Sequence, residues 1–153
     1  MSEITFLASS KPFQIPDEIK EYNNRTFFER EEDFISFSVE EIDDYWEKEV
    51  EGLFSMPYIY EVYGVGNRLF LKYIEKYMEM GDVLEIYTIP NQHAFEYYKQ
   101  KMQENPEPIE VNVRSYTYRD IYGSYQLNTK NWLEELSHRN YITHHGITTF
   151  VKY

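Results

Sequence analysis

The sequence predicts an α/β or α+β fold: a single layered domain over residues 1–153, with a mixed β-sheet of about six or seven strands and about five helices. Three observations predict it. Segments with the two-residue period of strands alternate with segments of 3.6-residue helical period along most of the chain. The 153 residues contain no internal repeat, no low-complexity tract and no linker-like stretch, so one core is the economical arrangement. Ten Phe and sixteen Tyr supply large, partly apolar side chains that offset an apolar content of 42%.

Ile4 to Ser9 has the character of a buried strand, and Ser9-Ser10-Lys11-Pro12 breaks it. A short helix is expected from about Pro16, because proline and the acids Asp17 and Glu18 suit a first turn. Beyond the polar stretch Asn23 to Glu32, Asp33–Phe37 reads as the second strand. Ser38 and Glu41 stand at the capping-box spacing, and Phe37 and Ile42 sit where a hydrophobic staple forms, which places the next helix start at about Val39. Its apolar stripe is Ile42, Tyr45, Trp46, Val50 and Leu53, leaving a strongly acidic outer face.

Tyr58–Tyr63 reads as a strand and Gly64–Asn67 as a turn into the best-defined helix, Arg68–Met80. There Leu69, Phe70, Tyr73, Ile74, Tyr77 and Met78 make the stripe and Gly81 is the expected C′ residue. Val83–Ile89 is the next strand. Asn91 is positioned to cap the amphipathic helix His93–Glu104. From Ile109 to Tyr118 apolar and polar residues alternate, predicting the longest strand, and Tyr122-Gly123-Ser124 turns into a short strand near Tyr125–Leu127. Helix Thr129–Arg139 and strand Ile147–Lys152 complete the series. Helical crossovers imply parallel neighbours, with an antiparallel pair near Ile109–Leu127.

The net charge of −12 is unevenly distributed. Residues 1–64 hold 16 acidic and 5 basic side chains, residues 65–110 hold 8 and 5, and residues 111–153 hold 3 and 5. An anionic chain of this kind is a poor candidate for broad binding to DNA or to acidic lipid, both of which depend on clustered Lys and Arg. The lack of cysteine removes disulfides, thiolate nucleophiles and Cys-based metal sites. No apolar run approaches the ~18 residues of a membrane span and the N-terminus lacks a basic leader, so a cytoplasmic protein with no membrane partner is expected.

Candidate chemistry gathers at a few places. Ser9, Ser10 and Lys11 stand at the end of the first strand, where two hydroxyls and an ammonium suit an anion, and His93 stands at another strand-to-helix junction; the commoner reading of the Ser-Ser-Lys segment is a solvated turn, and of His93 a solvent-facing first-turn residue. Arg114, Tyr116 and Tyr118 share one parity of the long predicted strand, a cation beside two rings that suits stacking and phosphate contact, or else packing beneath a helix. Glu135 and His138 have the E-x-x-H spacing, but a di-iron site needs two such pairs, and His144-His145 alternate in direction; no metal and no cofactor are expected. No G-x-S-x-G, H-E-x-x-H or P-loop pattern is present, so no catalytic residue is assigned. The expected function is a non-catalytic interaction or regulatory domain, acting on a protein partner or by self-association as a homodimer, rather than on nucleic acid. The alternative is a domain that binds a small anionic ligand, phosphate or nucleotide, or a hydrolase, with its site at the strand carboxyl ends.

Overall fold

The computed structural model describes residues 3–13, 38–65, 68–139, 141–143 and 145–153. The helix expected from Pro16 and the strand expected over Asp33–Phe37 lie outside them. The strands are β1 (Ile4–Ser9), β2 (Ser38–Glu41), β3 (Tyr58–Tyr63), β4 (Val83–Ile89), β5 (Ile109–Asn112), β6 (Thr117–Asp120), β7 (Gly123–Gln126) and β8 (Thr148–Val151). The α-helices among the described residues are α1 (Asp44–Glu49), α2 (Arg68–Tyr77), α3 (Phe95–Glu104, entered through a 3-10 turn at Gln92–Ala94) and α4 (Trp132–Ser137). The eight strands form one mixed sheet in the order β2-β3-β1-β4-β8-β5-β6-β7.

Among the described strands only β5 and β8 are parallel neighbours; every other adjacent pair is antiparallel. The helical crossovers join strands of the same direction only at α2 and α4; α1 and α3 join strands that run oppositely, and none of these crossovers makes its two strands parallel neighbours. Helix α2 joins β3 to β4, which run the same way, but β1 is inserted antiparallel between them. The sheet therefore has helices on both faces without being a parallel sheet.

Two apolar clusters occupy those faces. Leu7, Leu84, Ile86, Val111 and Phe150 pack beneath α2 and α4 through Phe70, Leu71, Ile74, Trp132 and Leu136. On the other face Ile4, Phe6, Tyr87 and Ile89 meet α1 and α3 through Trp46, Val50, Phe95 and Met102. Alternation along β1 and β4 sends consecutive side chains to opposite clusters, which is why both strands are buried almost throughout.

Three local expectations are corrected. Residues Ser38–Glu41 form an edge strand on β3, with Val39 opposite Val62, and the helix begins only at Asp44, where the Asp43 carboxylate accepts from the Tyr45 N–H at 2.8 Å. Ladder pairing to an otherwise open strand outweighs a capping box. The long strand from Ile109 is cut at 113–116, because the buried Asn112 carboxamide oxygen accepts from the N–H groups of Arg114 (2.9 Å) and Ser115 (3.1 Å) and turns the chain back as β6. Gly81 does adopt a left-handed φ of 91°, yet its N–H donates to Lys152 rather than to the helix.

Strand direction decides which loops can meet. The carboxyl ends of β1, β5, β7 and β8 lie at one end of the sheet, together with the amino end of β4. The carboxyl end of β4 lies at the other, roughly 20 Å away, the length of a seven-residue strand.

Candidate functional site

His93 follows β4 and is therefore at the opposite end of the sheet from Lys11, Arg114 and Lys152. It is exposed on the 3-10 turn, its N–H held by the Asn91 side chain at 2.9 Å. His93 and Lys11 do not converge, because β1 and β4 are antiparallel and their carboxyl ends point apart.

The Ser9-Ser10-Lys11 segment is occupied by the fold. Ser9 is fully buried and its hydroxyl accepts from the Lys11 N–H, while the Ser10 hydroxyl accepts from the Val83 N–H at 3.0 Å. The Lys11 ammonium lies 2.7 Å from the Asp82 carboxylate and 4.4 Å from the centre of the Tyr77 ring, and donates to the Tyr77 carbonyl at 3.3 Å. It caps the carboxyl-terminal end of α2, where a cation meets the exposed carbonyls and the negative end of the helix dipole. Asp82 is held below the usual carboxylate range: burial pushes its pKa up, but the Glu79 N–H and the Lys11 ammonium pull it further down.

Tyr118 is buried on β6 opposite Val111, with the Arg139 guanidinium 5.3 Å from its ring centre. Arg139 also covers Tyr125 at 4.6 Å. Tyr118 thus belongs to the core beside α4. Glu135, the acid of the E-x-x-H pair, accepts from the Asn128 N–H at 2.6 Å and approaches Arg139 at 3.7 Å. His138 is exposed, and His144 lies outside the described residues.

Arg114 and Tyr116 are brought to a common site. Both stand on the 113–116 turn beyond β5, about three strand spacings, roughly 14 Å, across the sheet from the end of β1. The turn forms one wall of an open cleft of about 730 Å³, facing α2 and the segment that leads into α4. Lys72 and Lys76 reach it from one face of α2, a single turn apart. Lys130 comes from the loop before α4 and Lys152 from the end of β8. Lys152 is committed to α2, donating to the carbonyls of Glu75 (3.0 Å) and Met78 (2.8 Å). By contrast, among the described residues no side chain forms an ion pair or hydrogen bond with the charged groups of Lys72, Lys76, Arg114 or Lys130.

Part of the lining of this cleft is aromatic. Trp132 is buried, and its ring centre lies 5.6 Å from that of the half-buried Tyr116. Glu75 ties the two together: one carboxylate oxygen accepts from the Tyr116 hydroxyl at 2.9 Å and the other from the Trp132 indole N–H at 3.2 Å. The hydrogen bond to Glu75, before burial, raises the Tyr116 phenol pKa, so the ring stays neutral. Tyr116 holds a φ of 56°, a left-handed conformation that costs a non-glycine residue roughly 1–2 kcal/mol. Its carbonyl is fixed by the Leu127 N–H at 2.7 Å and by the Gln126 side chain at 3.1 Å. The strained residue is thus held by two donors from the end of β7, at the wall of the cleft.

Glu75 and Asn112 escape sequence reading for different reasons. Asn112 carries a weak signal, since an Asx side chain at a strand end commonly binds the N–H groups two and three residues on. Glu75 carries none, as its partners are 41 and 57 residues away. A second buried carboxylate, Glu85 on β4, accepts from the N–H groups of Ser55 and Met56, both at 2.8 Å. Burial raises its pKa, partly offset by those two donors. It fastens the loop that leads into β3.

No helix of the described residues is long and apolar enough to cross a membrane. No protein-family model, curated protein or solved structure matches this chain.

Proposed function

We propose that this protein is a binding domain for a small anionic, phosphate-bearing ligand, held in the cleft between α2, the 113–116 turn and the approach to α4. The observation that carries this is the convergence of Lys72, Lys76, Arg114 and Lys130 from three separate segments, with no partner among the described residues, in a chain of net charge −12. Unpaired like charges repel one another when brought together, and an anion between them removes that cost. A volume of about 730 Å³ lies within the ~300–1,000 Å³ typical of small-molecule sites. In this proposal the protein works in the cytoplasm, where phosphorylated small molecules are held.

Trp132 reports on the site. The chain has two tryptophans, so Trp46→Phe leaves Trp132 as the sole indole. Titration with inorganic tripolyphosphate at low ionic strength (~10 mM, Debye length ~30 Å) is expected to change its fluorescence saturably. The pair Lys76→Glu and Arg114→Glu is expected to weaken binding more than about tenfold, with the circular dichroism unchanged, since both side chains are exposed. Absence of a saturable response in the parent protein would sink the proposal.

A protein partner is the second reading, favoured by the opposite edge of the sheet. There β2 presents Glu40 and Glu41, α1 presents Asp44 and Glu47, and Tyr45, Tyr58 and Tyr63 are 61%, 43% and 46% exposed. Exposed tyrosines among acids suit docking of a basic protein surface. Capture of such a partner is expected to fall between low and high salt and to disappear on replacing Glu40, Glu41 and Glu47 by Gln. Monomeric, salt-insensitive elution with nothing captured counts against it, and against the self-association considered from the sequence.

A further inference from the structure

We infer that the ligand of this cleft is a nucleoside polyphosphate, its phosphates among the cations and its base against Tyr116; this rests on the anion-binding proposal above. Charge sets the number of phosphates. The lining carries five cations against the carboxylates of Glu75 and Glu134, a formal excess of three positive charges. One phosphoryl group brings only about −1.5 to −2 at neutral pH, so neutralising the excess takes two or more.

The remaining wall sets the other half of the ligand. Tyr116 and Leu133, packed beside the buried Val113 and Trp132, give the lining an apolar, aromatic part that a bare polyphosphate leaves uncovered. Trp132 is only 5% exposed and packs against Tyr116, and Tyr116, half-buried, lines the cleft. Its hydroxyl is already bound to Glu75, and its backbone is held by Leu127, so the ring is oriented before any ligand arrives. A ring fixed in advance loses little conformational freedom on stacking. Thr129 and Asn131 add a hydroxyl and an amide to the same lining, groups that suit a sugar hydroxyl rather than a further phosphate.

The test compares ATP with inorganic tripolyphosphate by calorimetry, both without metal and at one ionic strength. Tripolyphosphate has at least as much negative charge, so electrostatics alone gives ATP no advantage. ATP is expected to bind about tenfold more tightly, within the range that one stacked base provides. Tyr116→Ala is expected to erase that advantage and leave tripolyphosphate affinity within about threefold, and Tyr116→Phe to retain it. Equal affinities in the parent protein, or an ATP advantage that survives Tyr116→Ala, overturn the inference while the anion-binding proposal stands. Absence of binding by either compound removes both. Should Tyr116→Ala fail to fold, transferred nuclear Overhauser effects between the adenine protons and the Tyr116 ring of the unaltered chain decide; their absence with ATP bound overturns the placement.

Discussion

Phe150→Ala is expected to destabilise the protein by about 3–5 kcal/mol, the range for a fully buried phenylalanine whose cavity cannot collapse. Phe150 has no exposed surface and stacks edge-on against Phe70 of α2 at 6.0 Å and Tyr141 at 5.9 Å. Its strand, β8, lies between β4 and β5, so the same side chain anchors both halves of the sheet to one helix. The surrounding backbone is tied by ladder hydrogen bonds on both sides and has little room to close around a void. In a domain of this size the loss corresponds to a drop in melting temperature on the order of 10 °C. Urea denaturation should show a lower midpoint with an unchanged slope. A loss below about 1 kcal/mol is incompatible with the packing described.

Gly146→Ala is expected to cost at least about 1–3 kcal/mol, from overlap rather than from lost packing. A Cβ at this position would stand 2.3 Å from the Glu107 carbonyl oxygen, 2.5 Å from its carbon and 2.9 Å from the Pro108 nitrogen. All three are backbone atoms, and none can rotate away. The Glu107 N–H is moreover bonded to the His145 carbonyl at 3.0 Å, so the two segments can separate only by disrupting the entry to the parallel β5–β8 pair. The glycine beside the paired histidines is thus required for close approach of two chains and not for a left-handed φ. The same denaturation measurement applies: a midpoint equal to that of the parent protein excludes the overlap. Because β5 and β8 lead to Arg114 and Lys152, weakened anion binding is expected alongside the lost stability.

Strands were legible where one run of side chains meets one environment. Val83–Ile89 has the same bounds in sequence and structure because six of its seven residues are buried, and its buried Glu85 carboxylate bonds to the Ser55 and Met56 N–H groups without interrupting the ladder. Tyr58–Tyr63 is likewise matched. Ser38–Glu41 was not, since its local signals favour a helix start and only the neighbouring β3, twenty residues on, offers the ladder that overrides them. The run from Ile109 to Tyr118 has the period of one strand, and a single side chain, Asn112, divides it.

For the candidate site, Arg114 and Tyr116 could be named from residue type, although the strand face imagined for them is a turn. Lys11 looked equally basic, and nothing local reveals that Asp82, 71 positions away, and the end of α2 claim it.

The sequence by itself determined the mixed α and β content, most of the helices and strands among the described residues, the aromatic core positions and the imbalance of charge between the two ends of the chain. These depend on short-range periodicity and on composition, which each residue carries with it. Tertiary structure alone decided that β1 inserts between β3 and β4, that the strand carboxyl ends therefore divide between two ends of the sheet, and that Lys72, Lys76, Arg114 and Lys130, without ion-pair partners among the described residues, line the same cleft as Tyr116. The physical reason is that direction and adjacency of strands are set by pairing between distant segments. Whether a lysine is a helix cap or an open charge depends on the neighbour that pairing supplies.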